Sequence, residues 1–246
     1  MSGRTTRLVC LHHAGGSPAV FESWAQQAPE GVEVLPLALP GGPNAGSRRR
    51  YHRTEQLIPA LVTELQEHLA DDDYVLFGHS MGGLLAYLLT RHFEEHGGRR
   101  PRALAVAALG APQVPWHDFA AEHDDEALIR WLHGIGGIPS WLLDHPAWLV
   151  PFLGRVRDDV AVCRSYRHVP QERRLAVPIH VYGGAEDPLV STQILERWTE
   201  IGERVEITSL PGRHFLVSED SGQLSRAVFD LALGGGLMPT LTTLPR

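Results

Sequence analysis

Residues 78–83 read "GHSMGG", directly after the apolar run "YVLF" at 74–77 and opening the helix-like stretch "MGGLLAYLLTRHFEEH" at 81–96. A serine between glycines at the end of a strand marks a sharp strand-to-helix turn. Such a bend thrusts the hydroxyl out at the edge of a sheet and tolerates only tiny neighbours, here Gly78 and Gly82. The stretch therefore matches G-x-S-x-G both in residues and in context, and Ser80 is the candidate nucleophile rather than a residue that only caps a helix.

Working outward, short apolar runs recur at "RLVCLHH", "VEVLPLALP", "YVLFGHS", "ALAVAALGAP", "IHVYGG" and "VEITSLPG". Longer stretches with helical spacing separate them. Between Thr54 and Ala70, Leu57, Ile58, Leu61, Val62, Leu65 and Leu69 recur every three or four positions, as an amphipathic helix requires. Strands alternating with helices imply an α/β fold, with a mostly parallel central sheet and helices on both faces. The alternation breaks from about 116 to 173, where Trp116, Trp131, Trp141 and Trp148 sit among prolines and short helical patterns. This segment reads as a helical lid over the carboxyl edge of the sheet, where ligands bind in such folds. An ordinary helical hairpin completing the core is the alternative. Residues 1–233 are expected to form one domain, and the glycine- and proline-rich 234–246 a disordered tail.

The chain has 246 residues, 43% of them hydrophobic, and a net charge of −7. The charge argues against a nucleic-acid binder, since neutralising phosphates needs an excess of Lys and Arg. No stretch approaches the roughly 20 uncharged apolar residues of a membrane span, and "MSGRTTRLVC" runs into a strand without a signal-peptide core, so a cytoplasmic protein is expected. The two cysteines, Cys10 and Cys163, are too few for a disulfide framework or a thiolate metal site.

A serine hydroxyl is a poor nucleophile until a base takes its proton, so Ser80 requires a histidine and a carboxylate to orient it, in the chain order Ser, acid, His. "AEDPLV" follows the run at 179–184 and offers Asp187; "RHFLV" follows the run at 205–212 and offers His214. Glu186 competes for the acid role, but Asp-Pro after a turn of small residues fits it better. His12 and His13 precede the serine, and His79 sits beside it with its ring directed away. The oxyanion of acyl transfer needs backbone N–H groups: Met81, after the nucleophile, and Ala14, in the loop "HHAGGS" after the first strand. That loop lacks both G-x-G-x-x-G and G-K-[ST], which weakens a nucleotide reading. "HFEEH" at 92–96 matches H-x-x-E-H but reads as a solvated helix end far from the pocket. The run Arg48, Arg49, Arg50 reads as solvated or as a contact for an acidic partner.

With these residues placed, the chain resembles the type II thioesterases, free-standing enzymes of the α/β-hydrolase fold that accompany nonribosomal peptide and polyketide synthases. The resemblance runs through the AGGS loop, "GHSMGG", "IGGIP" in the lid, "VYGGAEDPLV" and "LPGRHFLV". It departs from the family at His12 and His13, where members carry proline and an aromatic, and at "GPNAGSRRRYH" after "LPG", where members carry an arginine-rich turn leading to an acidic segment. The resemblance implies a Ser80, Asp187, His214 triad, oxyanion amides of Ala14 and Met81, and no cofactor or metal. It also implies hydrolysis of acyl groups from the phosphopantetheine arm of an acyl or peptidyl carrier protein. Trp131, Trp141, Leu142, Leu143, Trp148 and Leu149 are expected to line or cover an apolar channel. A carboxylesterase or acyltransferase of the same fold is the alternative, and a silent carrier-binding module a further one.

Overall fold

The computed structural model describes residues 5–40, 50–69, 73–115, 124–170, 173–219 and 222–235. Arg48, Arg49, Trp116 and the tail from 236 onward, singled out above, lie outside the described residues.

Each of the six apolar runs is a strand: β1 Thr6–Leu11, β2 Val32–Pro36, β3 Tyr74–His79, β4 Ala103–Ala107, β5 Ile179–Gly184 and β6 Val205–Leu210. They form one sheet in the order β2-β1-β3-β4-β5-β6, with every neighbouring pair parallel. The physical reason is visible in β3 and β4, where all residues are buried: a strand covered on both faces needs an unbroken apolar run. The edge strand β6 is only half-buried and carries Glu206 and Thr208.

Successive side chains alternate between two cores. Leu8, Val75, Phe77 and Ala105 point toward helices α1 (Glu22–Gln27) and α8 (Gln223–Ala232), meeting Trp24, Val228 and Phe229. Val9, Leu76, Leu104 and Val106 point the other way, toward α2 (Thr54–His68) and α3 (Met81–His96), meeting Leu61, Leu65, Leu84 and Leu85. Full burial of each such leucine or phenylalanine contributes about 1.5–3 kcal/mol. The chain steps from β1 outward to β2, then crosses back to lay β3 on the other side of β1. The crevice at the carboxyl ends of β1 and β3 is therefore the switch point of the sheet, where the connections diverge and leave room for a ligand.

Between β4 and β5 lie α4 (Asp125–Ile135), α5 (Ser140–Leu143) and α6 (Pro146–Ser165), with no strand among the described residues of this segment. Asp124 caps α4 by accepting from the Ala127 N–H at 2.8 Å, Gly136 ends it with φ +81°, and Pro146 opens α6. These helices bury a small core of their own, including Leu128, Leu132, Leu142, Leu153, Val156 and Val160. The short α7 (Thr192–Glu196) follows β5.

Candidate active site

The turn between β3 and α3 is as tight as the two glycines imply. A Cβ on Gly78 would lie 2.1 Å from the Gly82 carbonyl oxygen, and one on Gly82 would lie 2.1 Å from that of Leu11 on β1. Both obstacles are backbone and cannot swing aside. Ser80 itself has φ +52° and ψ −114°, a conformation that costs on the order of 1–3 kcal/mol and persists because the surroundings dictate it. Its N–H is tied to the Ala107 carbonyl at 2.8 Å, which couples the turn to β4.

The other two triad candidates reach the serine from the ends of β5 and β6. A Cβ on Gly184 would come within 2.3 Å of the Arg213 carbonyl, so the loops after these strands run in backbone contact. His214 Nε2 lies 3.1 Å from Ser80 Oγ, and His214 Nδ1 lies 2.9 Å from Asp187 Oδ2. The other Asp187 oxygen, Oδ1, accepts from the N–H groups of Leu189 at 2.8 Å and Val190 at 3.2 Å. The carboxylate is thus pinned in one orientation, fully buried, with its free edge toward the imidazole. A carboxylate accepts only, so the imidazole proton sits on Nδ1 and leaves Nε2 with a lone pair toward the serine hydroxyl.

Glu186 does something else: its Oε2 accepts the Gly212 N–H at 3.0 Å, bracing the loop that leads to His214. His79 runs behind the site, its ring centroid 5.8 Å from that of His214. Its Nε2–H donates to the His214 backbone carbonyl at 2.7 Å, and burial holds its pKa well below the ordinary histidine value. His13 packs edge-on against Phe215, at 4.9 Å between centroids.

Two apolar cavities meet at Ser80 and His214, with Leu189 on their shared border. One is walled by Leu109, Val114, Val190 and Ile194, at the ends of β4 and β5. The other lies under the lid, between Trp131, Ile135, Val156, Val160 and Phe215, with Ala14 and Met81 at its polar end. Of the residues expected to border a channel, Trp131 lines this second cavity. Leu142, Leu143 and Leu149 pack within the core of the lid itself, and Trp141 and Trp148 face solvent, 58% and 67% exposed. The walls of the first cavity were not among the candidates; their signal was the apolar pair Leu189 and Val190 immediately beyond the Asp-Pro turn.

The H-x-x-E-H pattern is absorbed by structure. The rings of His92 and His96 stack at 4.5 Å, Glu95 pairs with Arg91, and Glu94 accepts the N–H groups of Ala176 and Val177. Among the described residues no group of three His, Cys, Asp or Glu side chains could hold a metal ion. Arg50, of the arginine run, pairs with Asp158 on α6. Among the described residues no helix is long and apolar enough to cross a membrane.

The nucleophile elbow, the ordered Ser, Asp, His and the six-stranded parallel sheet coincide with a family model, "Thioesterase domain", that matches residues 6–231. The chain belongs to the thioesterase domain family. This thioesterase is 31% identical over 229 residues to the gramicidin S biosynthesis protein GrsT of Aneurinibacillus migulanus, covering 91% of this chain and 87% of that protein. Its fold matches RedJ, a thioesterase of the prodiginine pathway of Streptomyces coelicolor, with a TM-score of 0.83 and 31% identity, over 96% of this chain and 95% of RedJ. It also matches BorB, the type II thioesterase of the borrelidin biosynthetic cluster, with a TM-score of 0.80 and 28% identity, over 93% of each chain. The thioesterase is thus a hydrolase acting on thioesters, of the α/β-hydrolase type with a helical lid, and the relatives named belong to gramicidin S, prodiginine and borrelidin biosynthesis.

Proposed function

We propose that this thioesterase removes acyl groups from the phosphopantetheine arm of acyl or peptidyl carrier proteins, clearing the modules of a peptide or polyketide synthase, with Ser80, His214 and Asp187 as its triad. The observation that carries the reading is the continuous hydrogen-bond chain from Ser80 through His214 to the pinned Asp187 carboxylate, opening between two apolar cavities. The names of GrsT, RedJ and BorB support the pathway class. The working unit is one domain, residues 1–233, with its lid at 116–173.

In the first half-reaction His214 Nε2 takes the hydroxyl proton while Ser80 Oγ bonds to the thioester carbonyl carbon. The carbonyl oxygen becomes an oxyanion held by the Ala14 and Met81 amides. Collapse breaks the carbon–sulfur bond, and the thiolate leaves with a proton from the imidazolium. In the second half-reaction His214 takes a proton from water, hydroxide adds to the acyl-enzyme carbonyl, and Ser80 departs with that proton, releasing the carboxylic acid. Asp187 stays ionised and stabilises the imidazolium in both halves. The acyl chain takes one cavity and the pantetheine arm the other. No cofactor takes part.

The test compares the same acyl group on a phosphopantetheinylated carrier protein, on N-acetylcysteamine and as an oxygen ester. A higher kcat/KM for the carrier-linked thioester is expected, because arm and protein surface contribute binding energy that positions the carbonyl. Equal constants for the two thioesters, with faster turnover of the oxygen ester, would move the assignment to a carboxylesterase.

A further inference from the structure

The loop after β1 is held by side chains that take no direct part in the proton transfer. His12 Nδ1 lies 2.8 Å from the His13 carbonyl oxygen, which also accepts the Gly16 N–H at 3.0 Å. His13 Nδ1 lies 2.9 Å from the Ala14 carbonyl oxygen. A carbonyl can only accept, so each ring carries its proton on Nδ1. The next peptide is gripped from its other end: the Gly15 N–H donates to Asp159 Oδ2 of lid helix α6 at 2.7 Å. Gly15 has φ +74°, and a Cβ there would lie 2.5 Å from Val156 Cγ2, so α6 rests directly on this backbone and leaves it no room to slide.

A trans peptide is planar, with its C=O and N–H pointing opposite ways. The carbonyl held by His12 belongs to the same peptide as the Ala14 N–H. Fixing the His13 oxygen on one side therefore fixes the direction of the Ala14 N–H on the other, and Ala14 borders the lid cavity beside Ser80 and Met81. Donation to the oxygen also polarises the peptide, which makes its N–H a better donor. Both rings are buried and neutral over the physiological range, their pKa values lowered by burial to about 4, so each donates one proton in one direction.

We propose that His12 and Asp159 are positioning residues for the oxyanion hole: His12 through the His13 carbonyl, and Asp159 through the Gly15 N–H, hold two successive peptides so that the Ala14 N–H meets the developing oxyanion. The proposal rests on the reading of Ala14 as an oxyanion amide. It makes the lid helix part of the catalytic geometry, since one of the two holds comes from α6. An interaction realised only in the transition state appears in kcat, whereas a packing role would lower stability or raise KM.

The experiment measures kcat and KM on an acyl-N-acetylcysteamine thioester, Tm, and the inhibition constant of octylboronic acid, whose boron adds Ser80 Oγ to form a tetrahedral anion. His12→Leu and Asp159→Leu are each expected to lower kcat about 10- to 100-fold with KM within about threefold, and to weaken the boronate by a similar factor, since loosening an oxyanion donor costs less than the 10²–10³ of deleting one. His12→Asn, whose amide nitrogen sits near the Nδ1 position, and Asp159→Asn, which keeps an acceptor for Gly15, are expected to recover most of the loss. Should His12→Leu fail to fold, His12→Gln replaces it, because its amide reaches the Nε2 position instead. The proposal is overturned by an unchanged kcat in the leucine variants, by conservative variants no better than leucine, or by losses in KM and Tm without loss of boronate affinity. The boronate ratio does not depend on the natural acyl donor, so it still reads the proposal if the wild-type enzyme proves to prefer oxygen esters.

Discussion

Replacing Asp187 by asparagine tests the triad most sharply, because the structure dictates which way the new amide must face. Leu189 and Val190 present two N–H groups to Oδ1, so the asparagine oxygen takes that side and its NH2 group turns toward His214. The imidazole must then accept at Nδ1 and carry its proton on Nε2, facing the Ser80 hydroxyl with no lone pair to receive a proton. Restoring the working tautomer requires flipping the amide. The flip sacrifices two backbone hydrogen bonds and sets N–H against N–H, at about 2–3 kcal/mol. Losing the charge-assisted bond to the imidazolium costs a further ~1.5–3 kcal/mol. Together these predict a fall in kcat of about 10³–10⁴-fold, at 1.36 kcal/mol per decade. The assay is thiol release from an acyl-N-acetylcysteamine thioester, with the rate of acyl-enzyme formation followed in the first turnover and Tm recorded alongside. A loss below about tenfold, or a Glu186→Gln variant more damaged than Asp187→Asn, would show that the acid has been misassigned. Glu186→Gln should lose at most a few-fold, because Glu186 only braces the Gly212 N–H.

Two further predictions follow from backbone contact and from burial. Gly82→Ala should abolish acyl-enzyme formation and lower Tm, since its Cβ would meet the Leu11 carbonyl at 2.1 Å; a variant with wild-type turnover and melting would mean that β1 and α3 can separate at no cost. The Asp159 carboxyl is pushed up to about 6 by burial, with Asp158 adding to the rise and the Gly15 N–H, Arg155 and Arg50 opposing it. A carboxyl raised from 3.8 to about 6 contributes stability that is complete below about pH 4 and lost as pH rises through 6, on the order of 2–3 kcal/mol in all. About 2 kcal/mol of this falls between pH 4.5 and 7.5, so Asp159→Asn should gain Tm relative to wild type across that range by roughly 4–8 °C for a chain of this size, and a gap that stays constant would refute the burial argument.

The parts of this protein that obey local rules were open to reading from the chain. Six apolar runs separated by helical spacing became six parallel strands, the central ones unbroken in their apolar character because they are covered on both faces, and the serine turn declared itself through two glycines whose hydrogens face backbone. Asp187 and His214 were legible because strand ends in this topology converge on one crevice. The lid was legible only as a segment. Its tryptophans were expected to line or cover a channel, and of the two cavities at Ser80 Trp131 borders one, while Trp141 and Trp148 lie on the outer surface. Which face of a short helix turns inward depends on its docking against α4 and α6, and the sequence of a four-residue helix such as α5 carries too few positions to specify that. The contacts of His12 and Asp159 were hidden for a different reason: both go to backbone groups that have no identity in the sequence, His12 to the neighbouring His13 carbonyl and Asp159 to the Gly15 N–H across 144 residues of chain.

The two outward-facing tryptophans have an optical consequence. Trp24 and Trp198 are sealed in the two cores, whereas Trp141 and Trp148 stand in water on α5 and α6. Under excitation of indole, the first pair emits from an apolar surrounding and the second from an aqueous one, so their spectra separate toward blue and red. A small quencher such as iodide collides with the outer pair and cannot reach the inner one. The emission of these four tryptophans thus divides by place in the fold, and the red pair registers events on the lid with no dye attached.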